Sequence, residues 1–357
     1  MDEAAFRELV SGERRGAFAA TQRGGLWFLS LFYGFGVRLR NRAFDFGLKT
    51  THDVDVPVIS VGNITTGGTG KTPFVAFLAD WFADRRTAAA ILSRGYRAFA
   101  PPVAAASGQP HERANDEKLV LDKLCPGVPH LQLPDRVASA RTAVAERGAE
   151  VLILDDGFQH RRLHRDLNIV LVDALNPFGY GRMLPRGLLR EPLRALKRAD
   201  LIVLTRADQC SVDEKDRILG TIRRHAPGCN VAEVAFRATG LVNAAGETAA
   251  LSSLAGKPVV AFCGIGNPES FRRTLCGCDV REFRAFADHH HYTADDLAEV
   301  SALLEHSDAR SVVTTLKDLV KIDRREIAGR LLWGVQVSTE FQHGRKLLEK
   351  QLKAIGP

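Results

Sequence analysis

Ser60-Val61-Gly62-Asn63-Ile64-Thr65-Thr66-Gly67-Gly68-Thr69-Gly70-Lys71-Thr72-Pro73 lies between a short apolar run, Val56 to Val61, and a helical pattern, Phe74 to Phe82. A strand, a glycine-rich turn, Lys-Thr and a helix in that order make a cradle for phosphate. Glycines let successive backbone N–H groups converge without Cβ clashes, and a helix N-terminus favours an anion. Thr65, Thr66, Gly67, Gly68, Thr69 and Gly70 form the expected loop, Lys71 reaches for the β/γ-phosphates, and the Thr72 hydroxyl is placed to ligate Mg²⁺. Thr65 stands where the G-x-x-x-x-G-K-[ST] pattern has its first glycine. The expected ligand is a nucleoside triphosphate.

Further apolar runs at Ala88–Leu92, Val151–Leu154, Asn168–Val172 and Leu201–Leu204 read as buried strands. Pro73–Phe82, Asp116–Leu124 and Arg136–Arg147 read as helices between them. This alternation predicts an α/β fold, a P-loop NTPase-like, mostly parallel sheet covered on both faces. After Ala226-Pro227-Gly228 the texture changes to turn-rich β segments, and a second, smaller α/β domain begins near Pro258-Val259-Val260. The expected organisation is a helical segment over 1–50, a P-loop domain over 51–230, a β-ribbon linker over 231–254 and a C-terminal α/β domain over 255–357.

Val151-Leu152-Ile153-Leu154-Asp155-Asp156-Gly157-Phe158-Gln159-His160 is an apolar strand ending in two carboxylates. That is the form of a Walker-B element, in which Asp155 and Asp156 hold Mg²⁺ opposite the loop hydroxyl. Gln159 and His160 follow directly and fall beside the phosphates. Ser93-Arg94-Gly95-Tyr96-Arg97 follows another strand and opens on the same rim, where Arg94 meets phosphate. Asn115-Asp116-Glu117-Lys118 opens a helix, where helix capping is the plainer role for Asn and Asp. Asp288-His289-His290-His291 is too contiguous to wrap one metal ion, and the sharper reading is a catalytic Asp–His pair reaching in from the second domain. Thr205-Arg206-Ala207-Asp208 loosely matches a guanine-reading element, with Arg in place of Lys.

The 357 residues carry 49 Lys and Arg against 42 Asp and Glu, a formal charge of +7, which suits an anionic partner. A basic run interleaved with aromatics is missing, as is any nucleic-acid-binding module, so nucleic acid is not the expected partner. The six cysteines are scattered, which fits a reducing compartment. The start, Met1 to Arg15, is charged and polar, unlike a signal peptide. Gly25 to Val37 is aromatic and apolar and is followed by Arg38, Arg40 and Arg42. It is too short to span a bilayer but suited to lie among headgroups, or else to pack as a core helix.

Together these motifs resemble the tetraacyldisaccharide 4′-kinases of lipid A biosynthesis. The resemblance rests on Val61-Gly62-Asn63 with Gly67 to Pro73, Ser93-Arg94-Gly95-Tyr96, Asp116-Glu117, Asp135-Arg136, Asp155 to His160, Arg190-Glu191-Pro192 and Phe286-Ala287-Asp288-His289. It implies ATP-dependent phosphorylation of the 4′-hydroxyl of an acylated glucosamine disaccharide 1-phosphate at the cytoplasmic face of the inner membrane, with Leu26 to Arg42 meeting the membrane surface. It further implies Asp116 as base with His289 as its partner in a dyad spanning the two domains. Tyr96, Glu117, Arg136, Gln159, His160, Arg190 and Glu191 would line the phosphate and metal region. The family pattern has Gly before and Pro after the Asp-Glu pair, where this chain has Asn115 and Lys118. A soluble P-loop GTPase or metal-insertion NTPase is the alternative reading.

Overall fold

The computed structural model describes residues 3–95, 115–288, 290–322 and 324–356. Tyr96 and His289 lie outside the described residues. The chain divides into two compact units. The first comprises Met1–Arg94, Val128–Ala235 and Glu340–Pro357; the second comprises Gly95–Gly127 and Phe236–Thr339.

The first unit is a parallel sheet in the order β7-β6-β5-β1-β4-β2-β3. Its strands are β1 (Val58–Asn63), β2 (Ala89–Ser93), β3 (His130–Gln132), β4 (Val151–Asp155), β5 (Leu167–Asp173), β6 (Leu201–Thr205) and the first part of β7 (Asn230–Val242). Every residue of β1, β2, β4 and β6 is buried, as expected for strands covered on both faces. These strands are too apolar to alternate, so the sequence marks them as continuous runs. Among the helices of this unit, α3 (Lys71–Ala83) follows β1 and α5 (Arg136–Arg147) precedes β4. Asp135 caps α5 by accepting from the Val137 and Ala138 amides.

The same unit carries α1 (Glu3–Ser11) and α2 (Ala17–Asp45). At 29 residues, α2 is roughly 40 Å long. Small residues Ala19, Ser30 and Gly34, with Val37, form its buried side. Phe28, Phe32, Phe35 and Leu39, spaced by four, three and four, make a stripe that stays 56–66% exposed. The core-helix reading of this segment therefore fails for its aromatic face. No helix among the described residues is long and apolar enough to cross a membrane.

The second unit contains a parallel array in the order β10-β9-β11-β13, built from β9 (Pro258–Cys263), β10 (Asp279–Ala285), β11 (Ser311–Thr315) and β13 (Arg330–His343). The short strand β8 (Thr248–Ala249) pairs antiparallel with the end of β7. Helix α4 (Asp116–Leu124) belongs to this unit. Its Val120 shares an apolar cluster with Val242, Val260, Leu316 and Leu319.

The sequence-based boundaries thus differ from the observed units at two places. The stretch 95–127, expected in the P-loop domain, groups with the second unit, because α4 buries its apolar face there. The C-terminal stretch 340–357, expected in the second domain, groups with the first. There Phe341 packs 5.1 Å from the Phe77 ring of α3, and Leu348 and Leu352 of α10 (Arg345–Ile355) are fully buried. Burying each leucine stabilises the unit by about 1.5–3 kcal/mol, and neither is replaceable by a polar residue at that cost.

Candidate functional site

The glycine-rich loop runs from the end of β1 to the first turn of α3. Gly67 and Gly70 have φ of 116° and 81°, a backbone region in which a side chain is strained. Thr65 needs no such freedom, because it forms an extended antiparallel bridge with Leu189. This explains why the first glycine of the general pattern is dispensable here. The loop is tied down from three sides. The Thr66 amide donates to the Leu188 carbonyl (2.8 Å), and the Arg190 amide to that of Ile64 (2.7 Å). Asn63 Nδ2 donates to Thr69 Oγ1 (3.1 Å), Thr205 Oγ1 to the Thr69 carbonyl (3.0 Å), and Arg206 Nη2 to the Gly68 carbonyl (3.0 Å).

The turn after β4 lies against this loop. A Cβ on Gly62 would fall 2.6 Å from the Phe158 backbone nitrogen, so only glycine admits the turn this close. Asp155 is buried and accepts from the Asp156 amide (2.9 Å). Asp156 has φ of 49°, a strained conformation for a side-chain-bearing residue that is held by its surroundings. Its carboxylate lies 3.4 Å from Lys71 Nζ and takes two hydrogen bonds from Arg190 Nη1, at 2.8 and 3.0 Å. The Arg136 guanidinium, also buried, donates to the Asp156 carbonyl (3.2 Å). Burial pushes the Asp156 carboxyl up, but Lys71, Arg190 and Arg136 outweigh it and hold the group well below the usual carboxylate range.

Gln159 Nε2 donates to the Asn63 carbonyl (2.8 Å), which places its amide at the root of the loop. Asn63 Oδ1, Gln159 Oε1, His160 Nε2 and Arg136 Nε are buried and have no hydrogen-bond partner among the described residues. A cluster of unspent polar atoms beside a glycine loop suits a polyanion and its counter-ion. No group of three or more His, Cys, Asp or Glu side chains gathers to hold a metal among the described residues. Mg²⁺ keeps waters and phosphate oxygens and needs only one or two carboxylates from the protein. Thr72, Asp155 and Asp156 are the residues that would hold it.

His160 has a measurable consequence for stability. Burial, followed by Arg136, Arg165 and Arg162, pushes its imidazole down to about 4, with Asp135 acting the other way. A folded-state value below the unfolded value of about 6.5 stabilises fully above that pH and loses its contribution as pH falls toward 4. Urea unfolding at pH 5 should therefore give about 1–2 kcal/mol less stability than at pH 8, and His160→Gln should flatten this dependence. An unchanged slope in the variant contradicts the assignment. Asp156 does not contribute in this window, since its depressed value acts only below about pH 4.

Glu191 departs from the expected arrangement. Its carboxylate is fully buried, accepts from Arg198 Nη1 and Nη2 (3.0 Å each) and from Asn41 Nδ2 (2.6 Å), and lies 3.6 Å from Arg40. It anchors α2 rather than facing the phosphate loop, while its neighbour Arg190 reaches Asp156. Tyr33 Oη donates to the Arg190 carbonyl (3.1 Å), so α2 holds both residues of this dipeptide. Arg94 is exposed at the end of β2. The guanine-like motif resolves differently too. Arg206 pairs with Asp173 and with the Gly68 carbonyl, and so braces the loop.

In the second unit, Asp116 opens α4 and is buried. Asn115 caps the helix by accepting from the Lys118 amide (2.9 Å), so the helix begins without the family's flanking Gly and Pro. Near Asp116 lie two lysines of α9 (Leu316–Ile322), one of which also meets Asp288. Lys317 Nζ is 3.6 Å from Asp116 and 3.5 Å from Asp288; Lys321 Nζ is 3.9 Å from Asp116. Asp116 and Asp288 fall in the same unit; His289, the partner that the resemblance implies for Asp116, lies outside the described residues. Glu117, next in α4, is half-buried. From the sequence alone, Lys317-Asp318 and Lys321, directly after the strand at Ser311–Thr315, are ambiguous between a functional role and loop shaping.

The loop, the paired carboxylates at the end of the neighbouring strand and the parallel sheet define the first unit as a P-loop nucleotide-binding α/β unit. The family model described as tetraacyldisaccharide-1-P 4′-kinase matches residues 23–355, and the chain belongs to that family. Tetraacyldisaccharide 4′-kinase of Anaeromyxobacter dehalogenans (strain 2CP-1) is 40% identical over 355 residues, covering 96% of this chain and 93% of its own length. The enzyme of the same name from Syntrophus aciditrophicus is 42% identical over 313 residues, covering 82% of each chain. A crystal structure of LpxK from Aquifex aeolicus in complex with ATP has a TM-score of 0.74 at 32% identity, covering 94% of this chain and 100% of that one.

Proposed function

We propose that this protein is a tetraacyldisaccharide 4′-kinase, which transfers the γ-phosphoryl group of ATP to the 4′-hydroxyl of tetraacyldisaccharide 1-phosphate. The observation that carries this reading is the Lys71–Asp156–Arg190 cluster under the glycine loop, in a chain of this family. Lys71 and the loop amides bind the triphosphate, and Arg136 and Arg190 add positive charge at its terminal end. Bound Mg²⁺, held by Thr72 with Asp155 or Asp156, would neutralise charge on the β- and γ-oxygens. The asides of the loop, Gln159 and His160, orient phosphate oxygens. Asp116 takes the proton of the attacking hydroxyl, with Asp288 and His289 supporting it, and Tyr96 and Glu117 serve the same acceptor region. The expected proton path is from the sugar hydroxyl to the Asp116 carboxylate.

Acceptor-dependent ADP formation tests the reading. With purified protein and ATP, ADP should accumulate only when the acylated disaccharide 1-phosphate is present, and GTP should not replace ATP. Equal ADP formation without acceptor, or a preference for GTP, supports instead a P-loop NTPase.

The substrate keeps its acyl chains in a bilayer, and the exposed stripe of α2 supplies the means to meet it at the cytoplasmic face of the inner membrane. Phe28 and Phe32 pack edge to face with ring centroids 5.1 Å apart and lie open to solvent. Burying each in the headgroup boundary contributes about 1.5–3 kcal/mol. Phe28→Ser with Phe32→Ser should therefore weaken co-sedimentation with anionic vesicles about 100-fold or more without lowering the Tm. Vesicle binding equal to that of the parent contradicts this role for α2.

A further inference from the structure

Lys317 sits between two carboxylates. Lys317 and Lys321 are one helical turn apart and face the first turn of α4. Lys321 is 4% exposed and anchored by the fully buried Asp318 (3.4 Å) and the His290 carbonyl (3.3 Å). Asp318 is itself held by the Gly264 amide (2.9 Å) and Thr315 Oγ1 (2.6 Å). These contacts hold Lys321 in place, and Lys317, 25% exposed, lies between Asp116 and Asp288.

We infer that Lys317 is a positioning residue that holds Asp116 ionised and aimed for proton abstraction, with Lys321 as the buried second cation of the same device. This rests on the reading of Asp116 as the base. Two carboxylates gathered round one ammonium repel each other once the cation is removed, and one then takes up a proton more readily. A general base is useless when protonated. The contacts to Asp116, at 3.6 and 3.9 Å, are longer than hydrogen bonds, so the lysines act through charge rather than by occupying the carboxylate. Asp116 is faced by Lys317 and Lys321 of α9; Lys317 also meets Asp288, Lys321 also meets Asp318 and the His290 carbonyl, and Glu117 follows Asp116 on α4.

The test is the pH profile of kcat for Lys317→Gln and Lys317→Arg beside Asp116→Asn. For Lys317→Gln, the acidic limb should move up by about one pH unit and kcat fall about tenfold or more at neutral pH, with KM for ATP within twofold. Lys317→Arg should keep the limb in place and restore most of kcat. A parental limb and kcat in Lys317→Gln overturn the inference, provided Asp116→Asn is inactive. Full turnover in Asp116→Asn would instead overturn the reading of Asp116 as base. Should Lys317→Gln fail to fold, Lys317→Arg decides alone: a limb displaced by about one unit contradicts a role carried by charge.

Discussion

Lys71→Ala should lower phosphoryl transfer about 10³-fold and leave the fold in place. Lys71 is the first residue of α3, delivered there by the left-handed turn at Gly70. Its side chain is 11% exposed and its ammonium faces Asp156, so the cation is partly desolvated before nucleotide arrives. A preorganised charge of this kind counts for far more than one in water. Removing it leaves Asp156 held by Arg190 through both oxygens, which is why the turn after β4 should survive. The change should appear in kcat and in ATP affinity together, with the Tm within a few degrees of the parent. A parental rate in this variant would remove the loop from the chemistry.

Asp116→Asn should cut kcat by 10²–10⁴-fold with ATP affinity unchanged. The amide keeps the size of the side chain at the start of α4 but cannot accept the hydroxyl proton. Asn115 supplies the helix cap, so α4 should form in the variant. The nucleotide loop belongs to the other unit, and its own contacts run through Asn63, Leu188, Thr205 and Arg206. Single-turnover rates with saturating ATP check the first part, and nucleotide titration checks the second. Unaltered turnover leaves Asp116 as a helix residue and nothing more.

The phosphate loop, the paired aspartates and most strands of the first unit were legible in the sequence because each is a local pattern. An apolar run of five or six residues ending in Gly or Asp-Asp needs no distant contact to be read, and Asp116–Leu124 and Arg136–Arg147 carry their own caps. What escaped was long-range. Arg206 looked like part of a base-reading motif, yet its partners are Asp173 and the Gly68 carbonyl, 33 and 138 residues away. Glu191 looked like a phosphate-side carboxylate, yet Asn41 and Arg198 bury it under α2. Lys317 had no motif of its own, and only the packing of α9 beside α4 gives it Asp116 and Asp288 as neighbours. The grouping of 95–127 and 340–357 escaped for the same reason, since Val120 and Phe341 find their apolar partners far along the chain.

The central claim is that a phosphoryl group passes from ATP on the glycine loop to the 4′-hydroxyl of an acylated disaccharide. The direct measurement is transfer of label from γ-labelled ATP into tetraacyldisaccharide 1-phosphate in mixed micelles, followed by mapping its position on the sugar. Label is expected in the lipid, on the 4′-oxygen, and is expected to be lost in Lys71→Ala. Label recovered only as inorganic phosphate, with none in the lipid, would contradict it.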